Sequence, residues 1–113
     1  MVEHVRELRV HQQACEAART IDRLSKHWPK EERFSLTDRV RRSSRSARAN
    51  IAEAWRRRHY QKHFISKLSD VDAETAETQN GLDFTLDCEY MTRENCTRRW
   101  IKSMSTSSAA SQK

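Results

Sequence analysis

The sequence predicts an all-α fold. Among its 113 residues only Gly81 is a glycine and only Pro29 is a proline, whereas a β protein of this length needs turn signals about every 8–12 residues. Apolar residues make up 35% of the chain and recur at alternating spacings of four and three, the a/d pattern of packed helices. We therefore predict one domain, an antiparallel up-down-up-down four-helix bundle over residues 1–104, followed by a disordered tail at 105–113.

The first helix is predicted over residues 7–28. Pro29 ends it, because the residue before a proline avoids the α region. Ser35 or Thr37 is then the candidate cap of the second helix, with Asp38 three residues after Ser35 as in a capping box. The inward stripe of the first helix comprises Val10, Ala14, Ala17, Ile21, Leu24 and Trp28.

The second helix has a stripe built largely from small residues, with Ser44 among the core-facing positions. Small side chains allow a neighbouring helix to approach closely, so this helix is expected to be central. Its apolar positions are Leu36, Val40, Ala47, Ile51 and Ala54.

A third helix is predicted over residues 60–90 and a fourth over residues 92–104. Asp70, Glu74 and Glu77 form an acidic stripe on the third helix. Phe84 and Cys88 lie off its apolar stripe, which suggests a second buried contact, between subunits. The stripe itself comprises Phe64, Leu68, Val71, Thr75, Gln79, Leu82 and Leu86. Trp28, Trp55 and Trp100 are predicted core residues.

Positive charge concentrates on the second helix and the turn after it. The chain has a net charge of +6, and residues 39–62 contain nine basic residues against one acid, Glu53. Such a surplus favours polyanions, and phosphate contacts release counterions. The candidate nucleic-acid contacts are Arg41, Arg42, Arg45, Arg48, Arg56, Arg57, Arg58 and Lys62.

An alternative assigns the same arginines to ion pairs. The stripe of Asp70, Glu74 and Glu77 carries the opposite charge, and it can pair with them within the bundle or across a subunit interface. The chain would then be a structural or adaptor protein whose charges mediate self-assembly and protein–protein interaction. Helix two carries more positive charge than helix three can neutralise, so nucleic-acid binding is preferred.

Patterns typical of enzymes are missing from the sequence. One glycine cannot form a phosphate-binding loop, the third helix lacks a Glu-x-x-His spacing, and the three cysteines have no zinc spacing. His59 and His63 share a helix face but lack a third ligand. We predict no enzymatic activity, no catalytic residues, no metal and no cofactor.

The N-terminus lacks the apolar segment of a signal peptide, and no run approaches the ~20 apolar residues of a membrane span. An odd number of cysteines without a disulfide framework fits a reducing compartment. The sequence therefore predicts a cytoplasmic protein that has no membrane partner.

From residue 7 to residue 91 the sequence resembles a known family. The match is carried by the order and spacing of several segments, residues 29–36, 41–46 and 50–55, followed by Phe64 and residues 67–69 and 74–79. The most specific segment reads Asn50-Ile51-Ala52-Glu53-Ala54-Trp55. The family comprises the four-helix-bundle proteins encoded in intervening sequences of bacterial 23S rRNA genes, which are related to the accessory variability protein of diversity-generating retroelements.

The resemblance implies a function as well as a fold. Members look like antiparallel bundles that assemble into homopentameric rings with basic surfaces, and the retroelement relative binds nucleic acid and a reverse transcriptase. We therefore expect a homo-oligomer that binds structured RNA or acts as an adaptor for a nucleic-acid-handling enzyme. The family resemblance alone implies that this oligomer is a pentamer.

Three positions depart from the family pattern. Arg39 replaces a usual glutamine and adds charge to the basic helix. Gly81 replaces a usual aromatic residue, which removes a large contact and costs roughly 1 kcal/mol of helix propensity. Glu89 replaces a glycine before Tyr90, which argues against a left-handed helix cap there.

Overall fold

The structure is a computed structural model that describes His4 and residues 8–92. Over this part of the chain there are three α-helices and no strand: α1 (Arg9–Ser25), α2 (Asp38–Arg56) and α3 (Gln61–Asp87). A 3₁₀ turn (Lys30–Glu32) and a π-helical turn (Arg33–Thr37) connect α1 to α2. The all-α prediction is confirmed. The predicted fourth helix beyond Thr92, with Trp100, and the predicted tail lie outside the described residues.

Helix α1 ends three residues before the predicted boundary. Its last helical residue is Ser25, and Trp28 lies in the bend that follows, although its side chain is buried. A proline ring clashes with the carbonyl group four residues earlier. For Pro29 that carbonyl belongs to Ser25, which explains why the helix stops there.

The predicted caps of the second helix are wrong. Thr37 has helical backbone angles (φ −60°, ψ −49°), and neither it nor Asp38 forms a capping hydrogen bond. Ser35 instead donates a hydrogen bond from Oγ to Oε1 of Glu32 at 2.7 Å. The chain is already helical before α2, so the first amides of α2 find backbone acceptors and do not need a side-chain cap.

Helix α2 is central, as predicted, and packs on both α1 and α3. Arg41 and Arg45 of α2 contact Ser25 and Asp22 of α1, respectively. Because the residue numbers run in opposite directions, α1 and α2 are antiparallel. On its other side, Ser43 places its hydroxyl oxygen 2.6 Å from that of Thr78 in α3.

The core is formed by one apolar cluster together with several buried hydroxyl groups. Thr75 and Thr85 are almost fully buried and donate hydrogen bonds to the carbonyl groups of Val71 and Leu82, at 2.7 and 2.6 Å. These bonds offset the cost of burying polar groups. The apolar cluster comprises Ala14, Ala17, Ile21, Trp28, Val40, Ile51, Val71 and Leu82.

The stripe predicted for α3 is correct at three positions, since Val71, Thr75 and Leu82 are buried. Its other members are only half-buried: Phe64, Leu68, Gln79 and Leu86. The spacing of four and three continues instead through the buried residues Thr78 and Thr85, which the predicted stripe did not include. Trp55, predicted to be a core residue, is also only half-buried.

Candidate nucleic-acid interface

The eight predicted cations lie on α2, on the turn after it and, for Lys62, in the first turn of α3. Seven of them are exposed, and Arg41 is half-buried. Their surroundings among the described residues divide them into a group facing α1, a group at the C-terminal end of α2, Arg42, which pairs with Asp38 at 3.3 Å, and two residues that form no ion pair. The buried side of α2 carries Val40, Ala47, Ile51 and Ala54, so the cations occupy its remaining surface.

Arg41 and Arg45 share one carboxylate of α1. The guanidinium of Arg45 lies 2.9 Å from Oδ1 of Asp22, and Nε of Arg41 lies 4.0 Å from the same oxygen. Arg41 also donates a hydrogen bond from Nε to Oγ of Ser25 at 2.7 Å. The sequence analysis missed Asp22 as a partner, although it lies on α1 beside the inward position Ile21.

The acidic stripe of α3 does not pair with the predicted cations. Over residues 8–92, no ion pair joins any of the eight to Asp70, Glu74 or Glu77. Glu77 pairs with Arg39 at 3.6 Å, and Asp70 pairs with Lys67. Pairing of the eight with this stripe within one chain is therefore wrong for the described residues, and pairing between subunits stays a prediction.

A second group surrounds Glu53 at the end of α2. Arg57 donates a hydrogen bond from Nε to the Glu53 carboxylate at 3.0 Å, and Arg56 lies 3.5 Å from its other oxygen. The hydrogen bond from Arg57 is the largest cause of a lowered Glu53 pKa, to which the charge of Arg56 adds. The carboxylate is held in its charged form, as expected of a residue that neutralises nearby arginines.

Arg58 takes a different position from its two neighbours. Its guanidinium carbon lies 4.1 Å above the centre of the Trp55 ring system, and Nη1 donates a hydrogen bond to the Trp55 carbonyl at 2.8 Å. A cation over an indole face is attracted by the ring quadrupole. This face of Trp55 is therefore covered by Arg58 and does not stack on a base in this conformation.

Arg48 and Lys62 are exposed, and neither forms an ion pair with any of the residues 8–92. Arg48 lies close enough to α1 to act on His11, a buried residue that the sequence analysis missed. Burial is the main cause of a lowered His11 pKa, and the charge of Arg48 lowers it further. The sequence indicates that His11 is buried, because His11 lies three residues before the inward position Ala14 and therefore on the same face of α1.

The described residues contain neither a group of side chains placed to hold a metal ion nor a helix that could cross a membrane. No group of three or more His, Cys, Asp or Glu side chains in this part of the chain is placed to hold a metal ion. His63 packs edge-on against Tyr60, with ring centres 6.4 Å apart. No helix of the described residues has the length and apolar character needed to cross a membrane.

Residues 6–109 match the family described as 23S rRNA-intervening sequence protein. The chain belongs to this family. The family resemblance in the sequence is thereby confirmed, over more of the chain than the segments that suggested it.

A solved structure supports the assignment of this chain to the intervening-sequence family. It is a 1.70 Å crystal structure of a protein of unknown function from the S23 ribosomal protein family of Bacteroides thetaiotaomicron. The two chains are 28% identical and superpose with a TM-score of 0.80, over 89% of this chain and 95% of the other. No protein with a curated description matches the chain.

Proposed function

We propose that this protein is a non-catalytic, homo-oligomeric four-helix bundle that binds nucleic acid, with structured RNA as the preferred ligand. One observation carries the proposal. Among residues 8–92, the eight cations between Arg41 and Lys62 pair with only three carboxylates, Asp22, Asp38 and Glu53. Eight positive charges against three negative ones leave an excess of five positive charges among these groups.

The exposure of these side chains suits phosphate binding. The side chains of Arg42 and Arg56 are each 77% exposed, so ligand phosphates reach them without displacing other residues. The existing ion pairs are exposed and therefore weak, typically 0–1 kcal/mol, so a phosphate competes readily with the carboxylate. The planar guanidinium group also binds phosphate oxygens in a bidentate manner.

The preference for RNA over DNA rests on the family. The matching family is described by its 23S rRNA intervening sequence, which is a ribosomal RNA context. The exposed arginines contact phosphates, which both nucleic acids have, and so they supply affinity without distinguishing the two.

Exposed aromatic residues support self-assembly. Phe34 is 89% exposed and Phe84 is 49% exposed, and both flank the Arg39–Glu77 ion pair between α2 and α3. Exposed aromatic groups beside charged residues are typical of protein–protein interfaces. We assign this surface to a contact between subunits, with a pentamer expected from the family resemblance.

The same surface favours a second candidate function. If copies of the chain, or a nucleic-acid-handling enzyme such as a reverse transcriptase, bind to Phe34 and Phe84, the protein acts as an adaptor. Its cations would then serve assembly rather than nucleic-acid binding. Cytoplasmic location and the absence of enzymatic activity are part of both proposals.

The deciding experiment is fluorescence anisotropy of a labelled, structured RNA at several salt concentrations. We expect micromolar or tighter binding whose log affinity falls linearly with log salt. Replacing Arg56, Arg57 and Arg58 by glutamine should weaken binding and reduce the salt slope. The matched control replaces three exposed cations of α1 by glutamine: Arg9, Arg19 and Arg23.

Two results would contradict the proposal. No binding at low salt would exclude nucleic-acid binding. Equal loss in the Arg56–Arg58 variant and in the α1 variant would exclude a specific role of these three arginines, because it would indicate a response to net charge alone. Sedimentation tests the proposed subunit contact, which both candidate functions share. Replacing Phe34 and Phe84 by serine should dissociate the oligomer, whereas replacing Tyr60, which is 65% exposed at the start of α3, should not.

A further inference from the structure

A small cavity lies at the corner where α1 leads into α2. Its volume is about 250 Å³, below the ~300–1,000 Å³ of sites for drug-sized ligands, so its occupant must be small. No carboxylate lines it. The side chains that matter for its chemistry are Lys26, Trp28, Lys30, Arg33, Thr37 and Arg41.

Two buried polar atoms of this wall have no hydrogen-bond partner. They are Nε1 of Trp28 and Oγ1 of Thr37, in residues that are 6% and 4% exposed. They are also the only buried side-chain nitrogen or oxygen atoms of the described chain that lack a partner. A buried polar group without a partner is costly and rare, and here both such groups belong to residues that line the same cavity.

Both atoms can act as donors. An indole N–H is a donor only, and a threonine hydroxyl donates or accepts. A ligand that satisfies both at once therefore needs oxygen acceptors. A phosphate group supplies several of them.

The charges of the wall fit the same ligand. Lys26, Lys30 and Arg33 are exposed and form no ion pair with other residues of the described part. Arg41 donates a hydrogen bond from Nε to Ser25, so the N–H groups on its two Nη atoms are available to a ligand. Lys26, Lys30 and Arg33 repel one another and Arg41 around this cavity, and Asp22 beside Arg41 offsets only part of that charge, so a bound anion would reduce the repulsion.

We propose that this cavity is a binding site for a phosphate group, held by the four cations and by hydrogen bonds from Trp28 and Thr37. The group comes either from free phosphate or from the backbone of a bound nucleic acid. The site does not depend on the proposed function, since free phosphate can occupy it in a protein that binds no RNA.

The first test is NMR of the full-length ¹⁵N-labelled chain titrated with inorganic phosphate, with ionic strength held constant by chloride. The Trp28 indole N–H signal is assigned by its loss in the Trp28→Phe variant. We expect it to shift with saturation while the signal of Trp55 stays in place. An unmoved Trp28 signal would overturn the proposal, as would a shift that chloride alone reproduces.

Variants separate binding from folding. Thr37→Val removes an unpartnered buried hydroxyl with little change of shape, so thermal stability without phosphate should hold or rise while phosphate affinity falls about tenfold. Arg33→Gln changes an exposed residue and should also weaken binding. The matched control is Arg19→Gln, an exposed cation of α1 away from the cavity. Wild-type affinity in both test variants would exclude the site.

The source of the phosphate is identified by repeating the titration with a short RNA. An RNA-dependent shift of the Trp28 signal that phosphate competes away supports a backbone phosphate in the site. A signal that responds to phosphate and not to RNA supports a free anion. If anisotropy shows no RNA binding at all, the phosphate titration still decides whether the cavity is a site.

Discussion

Gly81 of α3 lies directly against the side chain of Val40 of α2. A Cβ atom on Gly81 would overlap Cγ2 of Val40 and would lie 3.6 Å from its Cβ and 3.8 Å from Cδ1 of Leu36. Both Gly81 and Val40 are buried, and α3 continues without interruption to Asp87. The interpretation of Gly81 as a lost contact is therefore wrong: Val40 and Leu36 occupy the space beside it.

Gly81→Ala is expected to destabilise the protein. Alanine gains roughly 1 kcal/mol of helix propensity, but overpacking of a core typically costs about 1–3 kcal/mol. The free energy of unfolding should therefore fall by about 1 kcal/mol, as measured by urea denaturation. An alanine at an exposed helical glycine would instead raise it.

The double variant Gly81→Ala with Val40→Ala identifies the cause. Val40→Ala alone creates a cavity and should lower stability. In the double variant, the methyl group added at position 81 fills part of that space. The double variant should therefore lose less stability than the sum of the losses in the two single variants. Strict additivity would show that Val40 is not the residue that limits space at Gly81.

Glu89 adopts the left-handed backbone conformation of a helix C-cap. The sequence predicted that this cap is absent, because Glu89 stands where the family has a glycine. The φ of Glu89 is +61°, the only positive φ of a non-glycine residue in the described chain. The amide of Tyr90 donates to the carbonyl of Thr85 at 2.8 Å, and the amide of Glu89 donates to that of Leu86 at 3.1 Å. These two bonds form a Schellman motif, so the backbone geometry is kept while a side chain occupies the glycine position.

Replacing Glu89 by glycine should therefore stabilise the protein. A left-handed conformation costs a residue with a Cβ about 1 kcal/mol, and glycine avoids this cost. The suitable reference is Glu89→Ala, which also removes the charge but keeps the Cβ. We expect the free energy of unfolding, measured by thermal or urea denaturation, to be about 1 kcal/mol higher for the glycine variant than for the alanine variant. Equal stability of the two variants would contradict the conformational argument.

The sequence predicted helix type, the central position of α2 and the basic face, because these follow from periodicity and local charge. The sequence did not predict which carboxylates form ion pairs with which arginines. Asp22 lies 23 residues from Arg45 in the sequence, and only the packing of α1 on α2 brings them together. The cavity beside Trp28 was missed for a related reason, since Lys30 and Arg33 lie in short turns without helical periodicity.

Asp22→Asn should strengthen RNA binding. Asp22 neutralises part of the charge of Arg41 and Arg45, so its removal makes these arginines more available to phosphates. One charge at about 4 Å in water corresponds to about 1 kcal/mol, so affinity at low salt should rise by about two- to fivefold. Because the pairs are exposed, stability should change by less than about 1 kcal/mol.

The control for this effect is Asp70→Asn, which removes the same charge from a residue paired with Lys67 on α3. We expect it to raise RNA affinity less than Asp22→Asn, as measured by anisotropy at matched salt. An equal gain in both variants would mean that net charge, rather than the Arg41–Arg45 surface, controls binding.

His11 provides a spectroscopic readout of this surface. Its side chain is buried, and its pKa is lowered first by burial and then by the charge of Arg48. In the unfolded chain a histidine titrates near pH 6.5. Between its lower folded pKa and about pH 6.5 the unfolded chain thus binds more protons, so the protein loses stability as the pH falls through this range.

A phosphate bound at Arg48 offsets the charge that opposes protonation of His11. Saturating RNA should therefore raise the His11 pKa, and Arg48→Gln should raise it without RNA and remove most of the further response. Both are measured by NMR titration of the His11 ring protons, which His11→Gln identifies among the five histidines. By linkage, RNA should bind more tightly as the pH falls through the His11 transition. A His11 pKa that saturating RNA leaves unchanged would place the bound phosphates away from Arg48, at the Arg56–Arg58 end of the surface.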